Sequence, residues 1–286
     1  MIAITGATGL LGQRVVQTLL ETQPATTLVA AVRHPEKAAA LAARGVLVRH
    51  ADYDRPQTLE GAFAGVRKLL LVSSSEVGRR VPQHQAVIDA ARRAGVELVA
   101  YTSVLHADRS PLGLAAEHRA TEAALKASGV PHVLLRNGWY VENYLAGVPA
   151  ALQHGAVLGS AGQGRISSAS RADYADAAAA ILAADADMAG RVVELAGGTA
   201  FTLAELAAEL SRRSGREIVY KDLPEADYKA ALLGAGLPEP MAALIADSDV
   251  GASKGGLHGD EPDLERWIGR PAVTLQQAVA RALEAR

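Results

Sequence analysis

Met1-Ile-Ala-Ile-Thr-Gly-Ala-Thr-Gly-Leu-Leu-Gly-Gln-Arg-Val-Val-Gln-Thr-Leu-Leu20 opens the chain and sets its architecture. Ile2, Ala3, Ile4 and Thr5 read as a short buried strand. A turn with glycine at positions 6, 9 and 12 follows. Leu11, Val15, Val16, Leu19 and Leu20 then fall on one face of a helix with a 3.6-residue period. Strand, glycine turn and helix in that order make the first half of a dinucleotide-binding βαβ unit, the alternative being a plain strand-to-helix turn.

The glycines have a physical reason. A diphosphate lies against unpaired backbone N–H groups at a helix N-terminus, where the helix dipole is positive. Gly6 lets the chain leave the strand sharply, Gly9 carries no Cβ to hold a diphosphate off, and Gly12 lets the helix pack close to the sheet.

Composition narrows the field. The 286 residues suffice for one large α/β domain, or one domain with a smaller lobe. A net charge of −2 argues against a surface built to neutralise nucleic-acid phosphates. The chain has no cysteine, which excludes disulfides, thiolate nucleophiles, thiolate zinc sites and iron–sulfur clusters. No apolar run spans a membrane and no basic segment precedes Ile2, so a cytoplasmic protein without membrane insertion is expected.

Further along, Thr27–Arg33 reads as the second strand, and its end selects the cofactor. An acid there would hold a ribose 2′-hydroxyl, whereas an arginine donates charge-assisted hydrogen bonds to a 2′-phosphate. The residue is Arg33, which points to NADPH, against the alternative of a solvated surface arginine. Val46–Ala51 is a third strand. Lys68–Val72 is the fourth and runs into Ser73, Ser74 and Ser75, small hydroxyl residues placed to approach a cofactor closely. Glu97–Ser103 and His132–Arg136 complete six strands with intervening helices, which predicts a doubly wound parallel sheet, the Rossmann fold. Beyond about residue 150 the rhythm changes to a smaller mixed α/β lobe, with capping boxes at Thr202–Glu205 and Thr274–Gln277. The expected division is therefore 1–150 for the NADPH-binding domain and 151–286 for a C-terminal substrate lobe, part of it rejoining the main sheet.

The G-x-x-G-x-x-G spacing, Arg33, Ser73–Gly78, Leu135–Tyr140, Ser167–Tyr174 and Ala246–Gly256 together resemble the NmrA-like branch of the atypical short-chain dehydrogenases/reductases, and within it the quinone-reducing bacterial members. The chain departs from that pattern at Leu10, where glutamine is expected in the turn. The resemblance implies that Gly6, Ala7, Thr8, Gly9, Leu10 and Leu11, with Arg33, Ser73, Ser74 and Ser75, hold NADPH. It implies the same of the loop Gly138, Trp139, Tyr140, Val141, Glu142 and Asn143, places Ser168 beside the nicotinamide, and implies a small quinone as acceptor. Independently of it, Trp139 and Tyr140 on a strand-end loop offer a flat apolar platform for a planar substrate ring, or else anchor the loop as core aromatics.

None of the seven tyrosines is followed four residues later by lysine, which disfavours the alcohol-forming Tyr-x-x-x-Lys mechanism. A quinone needs less help, because hydride arrival gives a ring-stabilised anion that water can protonate, leaving catalysis mainly to positioning. His118 is the candidate for an assisting acid, the alternative being a His118–Glu122 surface pair, and Ser103 is a weaker candidate donor. Two functions remain: an NADPH-dependent quinone reductase, or a catalytically inactive NADP(H) sensor acting through a protein partner. Whether the chain forms a homodimer stays open.

Overall fold

The computed structural model describes residues 1–284, so the last two residues of the expected 151–286 lobe lie outside it. Six α-helices and seven strands, counted among the described residues, build the first compact unit, Met1–Val104, Glu117–Asn137 and Arg171–Glu194. Its strands are β1 (Ile2–Thr5), β2 (Leu28–Val32), β3 (Leu47–His50), β4 (Lys68–Leu71), β5 (Leu98–Val104), β6 (His132–Asn137) and, later in the chain, β10 (Val192–Leu195). The intervening short strands β7 (Trp139–Tyr140), β8 (Ala156–Gly159) and β9 (Ser168–Ala169), together with β11 (Val219–Asp222), lie in the second unit.

The seven strands form one sheet in the order β10-β6-β5-β4-β1-β2-β3. Ile2 pairs with Leu28 on one side and Lys68 on the other, both in parallel register. This is the doubly wound Rossmann arrangement, with its topological switch between β1 and β4. The sequence reading stands, with β10 added beyond β6: Leu134 N donates to Arg191 O, so the late strand Val192–Leu195 extends the sheet.

Side-chain alternation divides the sheet's two faces. Ala3, Val29, Leu69, Leu71, Val99 and Tyr101 pack with Leu59 and Phe63, with Val87 and Ile88, and with Leu125, from the helices Pro56–Phe63, Arg80–Arg93 and Ala115–Ser128. On the other face the helix Gly12–Leu19 packs against the alanine-rich helix Arg171–Ala183. The alanines make that pairing close, and Thr18 Oγ1 donates to Asp176 Oδ1 at 2.9 Å. The chain is not cut once near residue 150: Leu105–Ala116 leaves for the second unit and Arg171–Glu194 returns to the first.

The second unit comprises Leu105–Ala116, Gly138–Ser170 and the described residues from Leu195 onward. It contains two small parallel ladders, β7 with β9 and β8 with β11. Both capping boxes form. Thr202 Oγ1 accepts from Glu205 N while Glu205 Oε2 accepts from Thr202 N, and Thr274 and Gln277 do the same. No helix among the described residues is long and apolar enough to cross a membrane.

Candidate functional site

The turn after β1 is open. Gly9 N donates to Gly6 O at 2.8 Å and Gln13 N to Gly9 O at 3.0 Å, while the amides of Ala7, Thr8, Leu10 and Leu11 find no acceptor among the described residues. The helix Gly12–Leu19 has no side-chain cap. These free donors and the dipole behind them suit a diphosphate. The glycines also show reasons that spacing alone does not give. Gly6 sits at φ +57°, and a Cβ on Gly12 would overlap the Gly6 carbonyl oxygen, so Gly12 serves the closure of the turn before it serves helix–sheet packing. At Gly9 a Cβ would stand 3.2 Å from the same oxygen. Leu10, the departure from the family pattern, is 71% exposed.

Arg33 lies just past the end of β2, half exposed. Its Nη1 meets Glu76 Oε1 at 3.1 Å, and the other oxygen of Glu76 takes Arg79 at 2.9 Å. Arg33 is therefore neither buried nor a lone solvated cation. A guanidinium held at a strand end by a surface carboxylate can exchange that partner for a phosphate with little loss, since exposed ion pairs contribute little.

After β4 the chain is gripped instead of open. Ser73 N donates to Thr102 Oγ1 at 2.8 Å and Ser74 N to His84 Nε2 at 2.9 Å. Arg80 Nε donates to Ser74 O at 2.6 Å, and Glu117 Oε1 accepts from Gly78 N at 3.0 Å. Ser74 Oγ accepts from Glu76 N, whereas Ser75 is exposed. The amides of Ser73 and Ser74 are thus spent on side chains, and what this turn can offer a ligand is hydroxyl groups.

His118 requires a correction. It is 4% exposed, its Nδ1 lies 2.7 Å from Tyr101 Oη, and its Nε2 faces Arg80 Nη1 at 3.5 Å. Burial, then the Arg80 charge and the neighbouring His84, push its pKa down to about 3. Burial thus favours the neutral imidazole, and the ring faces Tyr101 and Arg80 in place of the surface pair with Glu122. Glu122 belongs to another cluster, in which Arg136 Nη2 meets Glu122 Oε2 at 2.7 Å and Arg136 Nη1 meets Glu194 Oε1 at 2.8 Å. Ser103 is corrected too: its hydroxyl donates to Glu122 Oε1 at 2.5 Å, so its proton is committed.

In the second unit the structure brings together two stretches far apart in sequence. Trp139 pairs with Ser168 and Tyr140 with Ala169 in the β7–β9 ladder. Gly138 N donates to Leu195 O, Val141 is buried, Glu142 is half-buried and Asn143 is exposed. Trp139 and Tyr140 are half-buried, compatible with a platform that keeps one face available. Ser168 is held by its neighbours: Ser167 N donates to Leu257 O, Ser167 Oγ to Gly259 O at 2.6 Å, and a Cβ on Gly197 would overlap Ser168 O. A concavity of about 450 Å³ elsewhere in this unit, lined by Gly162, Ala204, Ala207, Tyr220 and Asp222, contains none of the expected site residues.

The sequence reading missed Arg80, His84, Thr102 and Glu117, which hold the serine turn from inside. Polar residues at buried positions of helices and of β5 were the available signal. It missed Asn137 as well, a buried residue at the end of β6 whose Oδ1 has no partner among the described residues.

The fold and the open glycine turn define a dinucleotide-binding protein of the short-chain dehydrogenase/reductase type. The chain belongs to the NmrA-like family, whose model matches residues 1–277. It is 58% identical to quinone oxidoreductase 2 of Escherichia coli (strain K12) over 98% of each chain. The crystal structure of the NADPH-dependent quinone oxidoreductase of E. coli complexed with NADPH superposes with a TM-score of 0.97 at 57% identity, covering 99% of this chain and all of that one. Triphenylmethane reductase of Citrobacter sp., complexed with NADP(H), matches with a TM-score of 0.95 at 38% identity over 99% of this chain and all of that one.

Proposed function

We propose that this chain is an NADPH-dependent oxidoreductase that reduces small quinones to hydroquinones by direct hydride transfer. The observation that carries the reading is the end-to-end likeness to quinone oxidoreductase 2. The residues fit the cofactor it requires. In the first unit, the free amides of Ala7, Thr8, Leu10 and Leu11 would take the diphosphate, Arg33 the 2′-phosphate, and the Ser73–Ser75 hydroxyls the ribose. In the second, the Gly138–Asn143 loop and Ser168 would take the nicotinamide end, and Trp139 and Tyr140 would offer the quinone ring a flat face.

NADPH, when bound, supplies the hydride. The chain's part is to orient and to exclude: Arg33 selects the phosphorylated ribose, and the β7–β9 pairing fixes Trp139 against Ser168. We assign the proton transfer to neither His118 nor Ser103, whose ring and hydroxyl are engaged with Tyr101 Oη and Glu122 Oε1. Water is the proton source for the hydroquinone anion, which its own ring stabilises, so rate comes from holding the reactants at attack distance. Its setting is the cytoplasm, without a nucleic-acid partner.

Mixing purified protein with NADPH and a small benzoquinone tests this. Loss of NADPH absorbance well above the uncatalysed rate is expected. Tight NADPH binding without turnover would overturn it in favour of a sensor.

A further inference from the structure

Ser74 is held at both ends of its peptide group by buried side chains, and the protons of those side chains can be placed one by one. A backbone amide can only donate, so His84 Nε2 must present its lone pair to Ser74 N–H. The neutral ring then carries its proton on Nδ1, which donates to Thr121 Oγ1 at 2.9 Å, and the Thr121 hydroxyl donates onward to Glu117 O at 2.9 Å. A guanidinium likewise has only protons to give, so His118 Nε2 accepts from Arg80 and His118 Nδ1–H donates to Tyr101 Oη. Arg80 closes the circuit on the Ser74 carbonyl. His84 is fully buried and its ring stands edge-on to Tyr101, with centroids 5.4 Å apart.

We infer that His84 is a positioning residue for the dinucleotide: through Ser74 it fixes the Ser73–Ser75 turn in the shape that receives the cofactor, with Arg80, Tyr101 and His118 as its brace. This rests on the proposal that the serine turn faces NADPH. His118 thereby becomes part of the support for a binding loop. An apolar side chain at 84 would fill the space yet leave the Ser74 amide buried without an acceptor. The turn would then relax toward water and lose its fit.

The test compares wild type with His84→Leu and His84→Gln, reading the NADPH dissociation constant by fluorescence titration, KM for NADPH and kcat with benzoquinone. Glutamine can return an amide oxygen to the place of Nε2. For His84→Leu, KM and the dissociation constant should rise about tenfold while kcat stays within about twofold, and His84→Gln should recover most of the loss. A folded His84→Leu protein that binds NADPH as wild type does, or a glutamine variant no better than leucine, overturns the inference. If the leucine variant does not fold, ¹⁵N NMR of the wild-type imidazoles decides: His84 and His118 protonated on Nδ1 supports the brace, and an Nε2–H tautomer at His84 overturns it. Wild-type protein that binds no NADPH overturns the underlying reading, which is a separate result.

Discussion

Two turns at the C-terminal ends of neighbouring strands solve opposite problems. After β1 the chain keeps its amides free, and glycines let it fold back on itself without side chains in the way. After β4 the amides of Ser73 and Ser74 are spent on Thr102 and His84, so that hydroxyls are what the turn has left to offer. One turn is a set of donors awaiting an anion; the other is a shaped surface held from behind. The difference shows why glycine spacing was enough to recognise the first, whereas nothing local announces how the second is kept in place.

Substituting Gly12 with valine should break the open turn most severely, since its Cβ would overlap the Gly6 carbonyl. Loss of about 1–3 kcal/mol or more in binding of NADPH and NADH alike is expected by titration, because the diphosphate is common to both. Arg33→Ala should weaken NADPH binding by roughly 1.5–3 kcal/mol and leave NADH nearly unchanged, so comparing the two cofactors separates the 2′-phosphate contact from the diphosphate cradle.

Acid should act on the braced turn. His84 has its pKa pushed down to about 4, by burial first and then by the Arg80 charge, and His118 is held lower still. Between the ordinary histidine pKa of about 6.5 and those values the unfolded chain binds protons that the folded one refuses. Stability is therefore full above about pH 6.5 and falls as pH drops toward 4, by about 2 kcal/mol for each ring at pH 5. Asp249 in the second unit works the other way: burial raises its pKa to about 6, so its folded state gains relative stability as pH falls through that range. Urea unfolding at pH 7 and pH 5 reads the net effect, and faster amide exchange at Ser74 at pH 5, corrected for intrinsic rates, assigns the loss to the serine turn. The smallest effect expected is that of Ser75→Ala, exposed and outside the brace, at under about 1 kcal/mol in NADPH affinity.

Local signals made the sheet legible. β1 to β6 fall within one or two residues of their expected limits, because buried parallel strands and helix periodicity are written in neighbouring residues. The position of Arg33 just past β2 was legible because a strand end fixes where its side chain starts. His118 and Glu122 misled for the converse reason: their spacing suggested each other, yet their partners Tyr101, Arg80 and Arg136 come from other elements. Pairing of Trp139 with Ser168 crosses 29 positions (168 − 139) and no period encodes it. The return of Arg171–Glu194 to the first unit was equally hidden, since an alanine-rich helix buried nearly all round carries no amphipathic stripe to say where it docks.

The central claim is that unpaired amides after β1 and the guanidinium of Arg33 together select NADPH. Parallel titration of the purified protein with NADPH and NADH tests it most directly. The account predicts that NADPH binds about tenfold tighter or better; equal affinity for the two, or retention of neither, would contradict it.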